Sequence, residues 1–363
     1  MKTTSVYIHI PFCKNICSYC DFCKMYYHQK WTQKYLAALK SEINNRYQNE
    51  EIKTIYIGGG TPSALSITEL KELFRIINIF KTNHLKEFTF ECNPSDINKE
   101  LITLLKNNKV NRISIGIESF NKENLLFMNR EAEYKDIQNK IKMIKEIGIN
   151  NINVDLIYAL PSENMEILKQ DLELITSLDV NHISTYSLMI EKGTVIDNKK
   201  TKPISEDQDA LMYQTICDYL KKKNYHHYEV SNFAKKGSES CHNLVYWHNE
   251  EYYGFGLGAS GYINNQRYDN TKNLTSYLKG DYIKDSVTLS NDDKIEYELI
   301  LGLRLLKGIN VKKFYDKYHI DIEIKYPKIK ELINNNELII KNGYLFINPQ
   351  KIYIMNEILV QLI

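Results

Sequence analysis

Regular alternation of two kinds of segment over about the first 190 residues restricts the fold of this 363-residue chain more than any other feature. Short runs rich in β-branched and aromatic residues, which favour strands, alternate with longer segments of helical periodicity. Six such units predict parallel strands joined by right-handed helical crossovers. No clear further pair of units precedes residue 230, so we expect an open α/β fold, a partial (β/α)6 barrel, and not a closed eight-stranded one. The predicted strands are Val6–Ile10, Thr54–Gly58, Glu87–Cys92, Arg112–Ile117, Asn153–Ala159 and His182–Leu188, and the predicted helices include Trp31–Arg46, Ile67–Ile79, Ile97–Asn107, Lys135–Ile147 and Asn164–Leu178.

Unusual residues follow the predicted strands where those strands end. Cys13 follows the first strand, and the run Gly58–Pro62 follows the second. Glu91 lies near the end of the third strand, and Glu118 follows the fourth. In parallel α/β folds the active site forms at the carboxyl ends of the strands. These residues are therefore predicted to share one site at that end of the barrel.

Three cysteines, Cys13, Cys17 and Cys20, lie close together with the spacing Cys-x3-Cys-x2-Cys. Thiolates grouped in this way suit an iron–sulfur cluster or zinc better than a metal that prefers oxygen ligands. In a [4Fe–4S] cluster, three thiolates leave one iron open to a small-molecule ligand. A zinc ion completed by His9 or Cys23 is the alternative, so the spacing by itself leaves both metals open.

The composition excludes several classes of protein. Hydrophobic residues make up 43% of the chain and charged residues 25%, which is typical of a globular protein. A formal net charge of +2 gives no reason to expect binding of nucleic acid. No run approaches the ~18 apolar residues of a membrane span, and no apolar signal region is visible, so we expect a cytoplasmic location. In that reducing compartment, seven cysteines favour a metal site over disulfides.

The sequence predicts three parts along the chain. We expect residues 1–235 to form the barrel, 236–289 to form an irregular segment, and 290–363 to form a small C-terminal α+β domain. Helices followed by a hairpin make this last domain winged-helix-like. It carries no dense basic face, so we expect it to pack against the barrel or contact a partner and not nucleic acid. Its predicted elements are helices at Ile295–Leu306, Val311–Tyr318 and Ile324–Asn334 and a hairpin at Glu337–Ile347 that turns at Asn342-Gly343.

The cysteine spacing is characteristic of radical S-adenosylmethionine (SAM) proteins. Over most of residues 1–270 the chain resembles one branch of them, the oxygen-independent coproporphyrinogen III oxidases and the HemW-type haem chaperones. The resemblance implies a partial barrel of six strand–helix units that binds a [4Fe–4S] cluster and SAM. The matching segments are Tyr7–Cys13, Gly58–Ser63, Glu91–Pro94, Gly116–Phe120, Asn129–Arg130 and Asp155–Pro161.

By this resemblance, Cys13, Cys17 and Cys20 hold the cluster, and its fourth iron binds SAM through the amino and carboxylate groups. An electron from the reduced cluster would then split SAM into methionine and a 5′-deoxyadenosyl radical. Glu118 departs from the family, which usually has Gln there, and a carboxylate lacks the hydrogen-bond donors of an amide. The residues that match SAM contacts are Tyr7, Tyr19, Gly59, Gly60, Thr61, Glu91, Glu118, Arg130 and Asp155.

Two features favour the chaperone branch over the oxidases. The oxidases carry a further cysteine two residues after the third cluster cysteine, where this chain has Phe22. Residues 242–247 match the His-Asn-x-x-Tyr-Trp signature that is associated with haem binding in HemW proteins. An imidazole is a good axial ligand for haem iron, so we predict His242 as that ligand, and the rings of Tyr246 and Trp247 can stack on the porphyrin. The alternative for a histidine in an aromatic cluster is a structural role.

The predicted function is that of a chaperone that carries haem as cargo to respiratory acceptor proteins. Its expected partners are haem, the acceptor protein and an electron donor, with a peripheral membrane contact made only through the acceptor. Whether SAM is consumed or only bound stays open. The alternatives are an oxygen-independent coproporphyrinogen III oxidase (dehydrogenase) of porphyrin biosynthesis and a structural zinc protein.

Overall fold

A computed structural model describes residues 3–363. Its main feature is a twelve-stranded sheet in the order β14-β13-β12-β11-β1-β4-β5-β6-β7-β8-β10-β9, beside a three-stranded sheet β15-β17-β16 and a short pair β2-β3. The strands are β1 (Thr3–Ile10), β2 (Phe12–Cys13), β3 (Met25–Tyr26), β4 (Glu51–Gly59), β5 (Glu87–Cys92), β6 (Arg112–Glu118), β7 (Asn151–Tyr158), β8 (His182–Ser187), β9 (His226–Glu229), β10 (Asn232–Ala234), β11 (Tyr252–Phe255), β12 (Ser260–Ile263), β13 (Gln266–Asn270), β14 (Ile283–Thr288), β15 (Ile309–Asn310), β16 (Leu338–Lys341) and β17 (Tyr344–Ile347).

Six strands in the centre of the large sheet, β1 and β4 to β8, run parallel to one another, whereas β10 pairs antiparallel with β8. β1 and β8 do not pair with each other, because β1 pairs with β11 and β8 pairs with β10. The sheet is therefore a partial barrel of six parallel strands that is extended on both sides. This confirms the predicted fold class. Parallel strands are covered on both faces, and β6 accordingly buries Ile113, Ile115 and Ile117 on one face and Arg112 and Ser114 on the other.

Helices connect the parallel strands, and each buries one apolar face. α1 buries Tyr35, Leu36, Leu39 and Ile43, which have the spacing of one helical face. α2 begins after Ser66 with a capping box. The helices are α1 (Gln29–Arg46), α2 (Ile67–Ile77), α3 (Lys99–Asn107), α4 (Lys122–Met128), α5 (Tyr134–Ile147), α6 (Met165–Ser177), α7 (Val195–Asn198), α8 (Glu206–Lys222), α9 (Cys241–Trp247), α10 (Leu274–Leu278), α11 (Asn291–Gly302), α12 (Val311–Tyr318), α13 (Ile322–Lys325), α14 (Lys328–Asn334) and α15 (Met355–Val360), with 3-10 helices at Pro62–Ala64, Pro94–Asp96 and Pro349–Ile354.

The C-terminal elements differ from the prediction in two places. The predicted helix Ile324–Asn334 is wrong as a single helix, because Tyr326 leaves the helical conformation before Pro327 and separates α13 from α14. The predicted helix Ile295–Leu306 begins earlier, since Ser290 forms a capping box with Asp293 and starts α11. The predicted hairpin is confirmed in β16 and β17, with positive φ at both turn residues, 53° at Asn342 and 76° at Gly343.

Residues 236–289, which we expected to be irregular, contain α9, α10 and the strands β11 to β14. These strands extend the large sheet from β1. α11 packs against α9, and one hydrophobic core continues from Val6 to Leu362. The proposed boundaries at residues 235 and 289 stay predictions. Among residues 3–363, no helix is both long and apolar enough to cross a membrane.

Candidate metal and cofactor site

A cavity of about 1170 Å³ opens at the carboxyl ends of the parallel strands. This is the end of the barrel where the sequence predicted a site. Of the residues predicted to bind the cluster or SAM, Tyr7 is the one that does not line it. The residues it does bring together are Cys13, Cys17, Cys20, Tyr19, Gly59, Gly60, Thr61, Glu91, Glu118, Arg130 and Asp155.

The three cysteine thiols come from one loop and face this cavity. Cys13 ends β2 and is buried, and its Sγ accepts a hydrogen bond from Thr61 Oγ1 at 3.4 Å. The Sγ of Cys17 accepts one from a guanidinium nitrogen of Arg130 at 3.1 Å. Burial raises the pKa of the Cys13 thiol and raises that of Cys20 to about 11. A bound metal centre would therefore have to displace the thiol protons, as metal–thiolate bonding does.

The donor set fits a cluster better than a single ion. Within residues 3–363, no three His, Cys, Asp or Glu side chains converge as ligands of one metal ion. A zinc ion needs its sulfur ligands at ~2.3 Å, whereas a cube of irons and sulfides spreads its ligands over separate irons. Three free thiols on one loop that line one cavity suit the second arrangement.

The two residues considered as a fourth zinc ligand face elsewhere. The His9 ring is buried, with Nε2 at 2.7 Å from the Cys23 carbonyl oxygen and Nδ1 at 3.0 Å from the Tyr7 hydroxyl. Burial lowers the pKa of His9 to about 4, so the ring is neutral. Tyr7, His9 and Cys23 line a separate cavity of about 280 Å³. This placement argues against the zinc alternative and leaves Cys23 outside the cluster site.

Close packing requires glycine in the turn after β4. A Cβ on Gly60 would lie 2.8 Å from the Pro11 carbonyl carbon and 2.9 Å from Cys13 Sγ. Gly59 has φ of +117°, and a Cβ there would lie 2.6 Å from the His9 ring. The triple glycine therefore lets the turn pass directly against the cysteine loop. Gly59 N also donates to Glu91 Oε2 at 3.1 Å, which fixes one carboxylate of the site.

Three carboxylates project into the deep part of the cavity. Glu91 accepts from the Tyr56 hydroxyl at 2.7 Å, and Asp155 accepts from Asn153 Nδ2 at 2.8 Å. Burial raises the pKa of Glu91 to about 7, an effect that the charge of Asp155 increases. Burial also raises the pKa of Glu118 to about 7 and that of Asp155 above its usual value. The cavity is thus built to receive positive charge.

Arg130 links these carboxylates to the cysteine loop. Besides Cys17 Sγ, its guanidinium donates to Asn93 Oδ1 at 3.1 Å and to the Gly116 carbonyl oxygen, and it lies 3.9 Å from Glu118 Oε1. Glu118 has a φ of 71°, which a residue with a side chain rarely adopts, at an irregularity in the pairing of β6 with β7. This backbone kink turns the Glu118 side chain toward Arg130.

Sequence reasoning missed several residues of the site. Tyr56 and Asn153 hold the carboxylates, and Asn93 holds Arg130. Asn93 belongs to the segment Glu91–Pro94, so its position in that motif was the available signal. Tyr56 and Asn153 lie within strands, where alternation alone does not reveal which residue faces a partner.

The raised pKa values predict that SAM affinity falls as the pH falls. The SAM that the sequence resemblance implies carries a positive sulfonium, and its amino group can bind iron only after losing its proton, so SAM should bind best at a pH where Glu91 and Glu118 are ionised. With a pKa of about 7, most of either carboxylate is protonated at pH 6 and little at pH 8. We expect about tenfold weaker SAM binding at pH 6 than at pH 8, measured by anaerobic equilibrium dialysis.

Without SAM, the free energy of unfolding should increase as the pH falls, whereas the affinity for SAM decreases. A carboxyl group whose pKa is raised on folding binds protons more tightly in the folded state, so this contribution to stability is lost as the pH rises from about 4.5 toward 7. The variant Glu91→Gln should reduce both pH dependences. An SAM affinity that is equal at pH 6 and pH 8 in the unmodified protein would contradict the expectation.

The residues predicted to bind haem lie away from this cavity. The His242 ring is completely buried, with Nδ1 at 2.8 Å from Thr54 Oγ1 and Nε2 at 2.8 Å from the Tyr246 hydroxyl. Tyr246 lines the smaller cavity, and the Trp247 ring has the Arg304 guanidinium 5.9 Å from its centroid. In this conformation, neither ring nitrogen of His242 is available to an iron, which does not fit the predicted axial-ligand role.

Two family models match the chain. The model described as "Radical SAM superfamily" matches residues 7–175, and the one described as "HemN C-terminal domain" matches residues 289–353. Among solved structures, "Coproporphyrinogen III oxidase (HemN) from Escherichia coli is a Radical SAM enzyme" superposes with a TM-score of 0.88 at 22% identity, covering 99% of this chain and 89% of that one. This likeness shows a shared fold.

Curated relatives extend over nearly the whole chain. "Heme chaperone HemW" of Lactococcus lactis subsp. lactis (strain IL1403) is 42% identical over 93% of this chain and 91% of its own length. The protein of the same name from Bacillus subtilis (strain 168) is 38% identical over 92% and 93%. That of Escherichia coli (strain K12) is 30% identical over 95% and 96%. The chain therefore belongs to the HemW family of radical SAM proteins.

Proposed function

We propose that this protein holds a [4Fe–4S] cluster on Cys13, Cys17 and Cys20, binds SAM beside it, and acts as a chaperone that passes haem to respiratory acceptor proteins. The observation that carries the proposal is the similarity, over more than nine tenths of both chains, to relatives named heme chaperone. The meeting of three thiols and three carboxylates in one cavity supports the cluster and SAM as cofactors.

Each part of the cavity has a role in this proposal. The turn Gly59–Thr61 and Arg130 would bind the amino-acid end of SAM, and Glu91, Glu118 and Asp155 would attract its positive sulfonium. When bound, the cluster supplies the electron that can cleave SAM. The protein residues bind and orient SAM and exclude water from it.

The size and rim of the cavity support a second ligand beside SAM. Its volume of about 1170 Å³ exceeds the ~300–1,000 Å³ of a pocket for one drug-sized ligand. Three apolar side chains on its rim are strongly exposed, at 64% for Phe22, 82% for Leu126 and 67% for Met189. Apolar side chains at the edge of a cavity offer contacts to an apolar ligand. A flat, largely apolar porphyrin suits this rim, and we place the haem there.

The oxidase alternative shares the fold, but the residue after the cluster loop differs from its pattern. Phe22 stands where the oxidases carry a further cysteine, and its ring lines the cavity. The two functions differ in what happens to the tetrapyrrole. A chaperone binds haem and releases it unchanged, whereas the oxidase consumes coproporphyrinogen III and releases 5′-deoxyadenosine.

The experiment is an anaerobic optical titration of the cluster-reconstituted protein with haem, run beside an assay with coproporphyrinogen III, SAM and dithionite. We expect stoichiometric haem binding and no loss of coproporphyrinogen. The variant Leu126→Glu, which places a charge on the apolar rim, should weaken haem binding about tenfold. Leu211→Glu is the matched control, because Leu211 is 56% exposed on α8 and does not line the cavity.

Two results would contradict the proposal. Consumption of coproporphyrinogen with matching release of 5′-deoxyadenosine would favour the oxidase. Absence of haem binding in the unmodified protein would refute the chaperone. Equal weakening by Leu126→Glu and Leu211→Glu would move the haem away from the rim while leaving haem binding itself in place.

A further inference from the structure

The helix α9, which carries the His-Asn-x-x-Tyr-Trp residues, packs against β4 and contacts the first residue of β5, at the amino ends of the parallel strands and opposite the cavity. Glu87, the first residue of β5, is buried, and its carboxylate accepts from the backbone N of Cys241 at 2.8 Å and of His242 at 3.0 Å. Glu91, four residues later on the same strand, lines the cavity. The start of α9 is thus tied to the amino end of β5, where barrel residues serve stability more than chemistry.

Both ring nitrogens of His242 have hydrogen-bond partners at this end of the barrel. Thr54 Oγ1 donates to Ser5 Oγ at 2.8 Å, so it can accept from Nδ1–H of His242, and Nε2 then accepts from the Tyr246 hydroxyl. Burial, together with the nearby charges of Arg112 and Lys53, lowers the pKa of His242 to about 3 and keeps the ring neutral. A neutral imidazole offers one lone pair to a metal, and here that lone pair is taken.

A chain of contacts runs from His242 to the cavity. Its ring packs against the Tyr56 ring, with centroids 5.3 Å apart and the ring planes inclined by 36°. The Tyr56 hydroxyl donates to Glu91 Oε1 at 2.7 Å, and the other Glu91 oxygen accepts from Gly59 N. Tyr56 therefore connects His242 of α9 with the Glu91 carboxylate, which faces the cavity.

We propose that His242 is a positioning residue for Glu91, acting through the Tyr56 ring, and that it is not an axial ligand of haem. The inference rests on the proposed function in one respect, namely that the cavity binds SAM. Held by Thr54 and Tyr246, the imidazole fixes the plane of Tyr56. The plane of the Tyr56 ring determines where its hydroxyl donates to Glu91, so removing the imidazole should lower the affinity for SAM.

A double-mutant cycle on SAM affinity tests the connection. His242→Gln and Tyr56→Phe are made singly and together, and SAM binding is measured by anaerobic equilibrium dialysis of the cluster-reconstituted proteins. We expect each single change to weaken SAM binding about three- to tenfold, and the double change to weaken it no more than the worse single one, as coupled residues do. The haem absorption band of His242→Gln should keep its position and titration midpoint.

His248→Gln is the matched control, because it makes the same change at an exposed residue directly after α9. It should leave SAM affinity unaltered. If His242→Gln fails to fold, Tyr246→Phe replaces it in the cycle, since it keeps both rings and removes only the hydroxyl that meets Nε2. A general loss of packing would lower SAM affinity additively in the cycle, whereas positioning through Tyr56 would not.

Two outcomes would overturn the inference. The first is a shifted haem band or lost haem binding in His242→Gln with unchanged SAM affinity, which would make His242 a haem ligand. The second is strict additivity of the two changes in SAM affinity. Failure of the proposed function is distinguishable from both, because it would appear as absent SAM or haem binding in the unmodified protein before any variant is compared.

Discussion

Replacing Cys17 by alanine is expected to reduce the iron and the sulfide recovered after anaerobic reconstitution from roughly four of each per chain to below about one. The reason is that the three cysteine thiols line one cavity and that, in the proposed cluster, each would hold a separate iron. The loss should be visible in the visible absorption of the reconstituted protein and in its iron and sulfide content. It should be accompanied by loss of SAM binding, because the open iron disappears with the cluster.

Cys23→Ala is the control for this change. Cys23 follows the cluster loop by three residues, but its side chain lines the smaller cavity beside His9. The variant should retain its iron and sulfide. If Cys23→Ala lost the metal while Cys17→Ala kept it, the ligand set would have to be redrawn. Zinc without iron or sulfide in the reconstituted unmodified protein would revive the structural zinc alternative.

The parallel core could be predicted because each of its strands has a strong local signal. β5 has the predicted limits, Glu87–Cys92, since a run of alternating aromatic and β-branched residues ends before the turn residues Asn93-Pro94. The strands β11 to β14 gave no comparable signal. β11 is four residues long, contains a glycine and pairs with β1, which lies far away in sequence. Pairing of this kind depends on the folded neighbour and not on local periodicity.

The candidate site was predictable where a motif ends a strand and unpredictable where a side chain acts through another. The glycines, the cysteines and Glu91 lie at or just beyond the carboxyl ends of barrel strands, so their meeting at one end follows from the topology. His242 has a distinctive sequence context, but the sequence does not reveal that Thr54 and Tyr246 occupy both its nitrogens. Nor does it reveal the positive φ of Glu118 that turns this carboxylate toward Arg130.

The Glu118 carboxylate makes Arg130→Met the change with the largest expected effect on stability. Side chains of both residues are nearly buried, with 12% of Arg130 and 10% of Glu118 exposed. Removing the guanidinium would leave Glu118 without its nearby cation and would leave Cys17 Sγ and Asn93 Oδ1 without a donor. We expect a loss of about 3 kcal/mol in the free energy of unfolding at pH 8, measured by urea denaturation. SAM binding should fall at least about tenfold, because Arg130 is the cation that we propose for the amino-acid end of SAM.

Measurements at a second pH and a second substitution separate two causes of the stability loss in Arg130→Met, namely the lost charge and the lost packing. At pH 6 the carboxyl group of Glu118, whose pKa burial raises to about 7, can take up a proton, so Arg130→Met should cost less there than at pH 8. Adding Glu118→Gln should restore part of the lost stability at pH 8, since an amide needs no neutralising cation. If the double variant were no more stable than Arg130→Met at pH 8, the main role of Arg130 would be to hold Cys17, Asn93 and the Gly116 carbonyl in place. Neutralising Glu118 would then be secondary, and the glutamate found where the family usually has glutamine would not depend on this arginine.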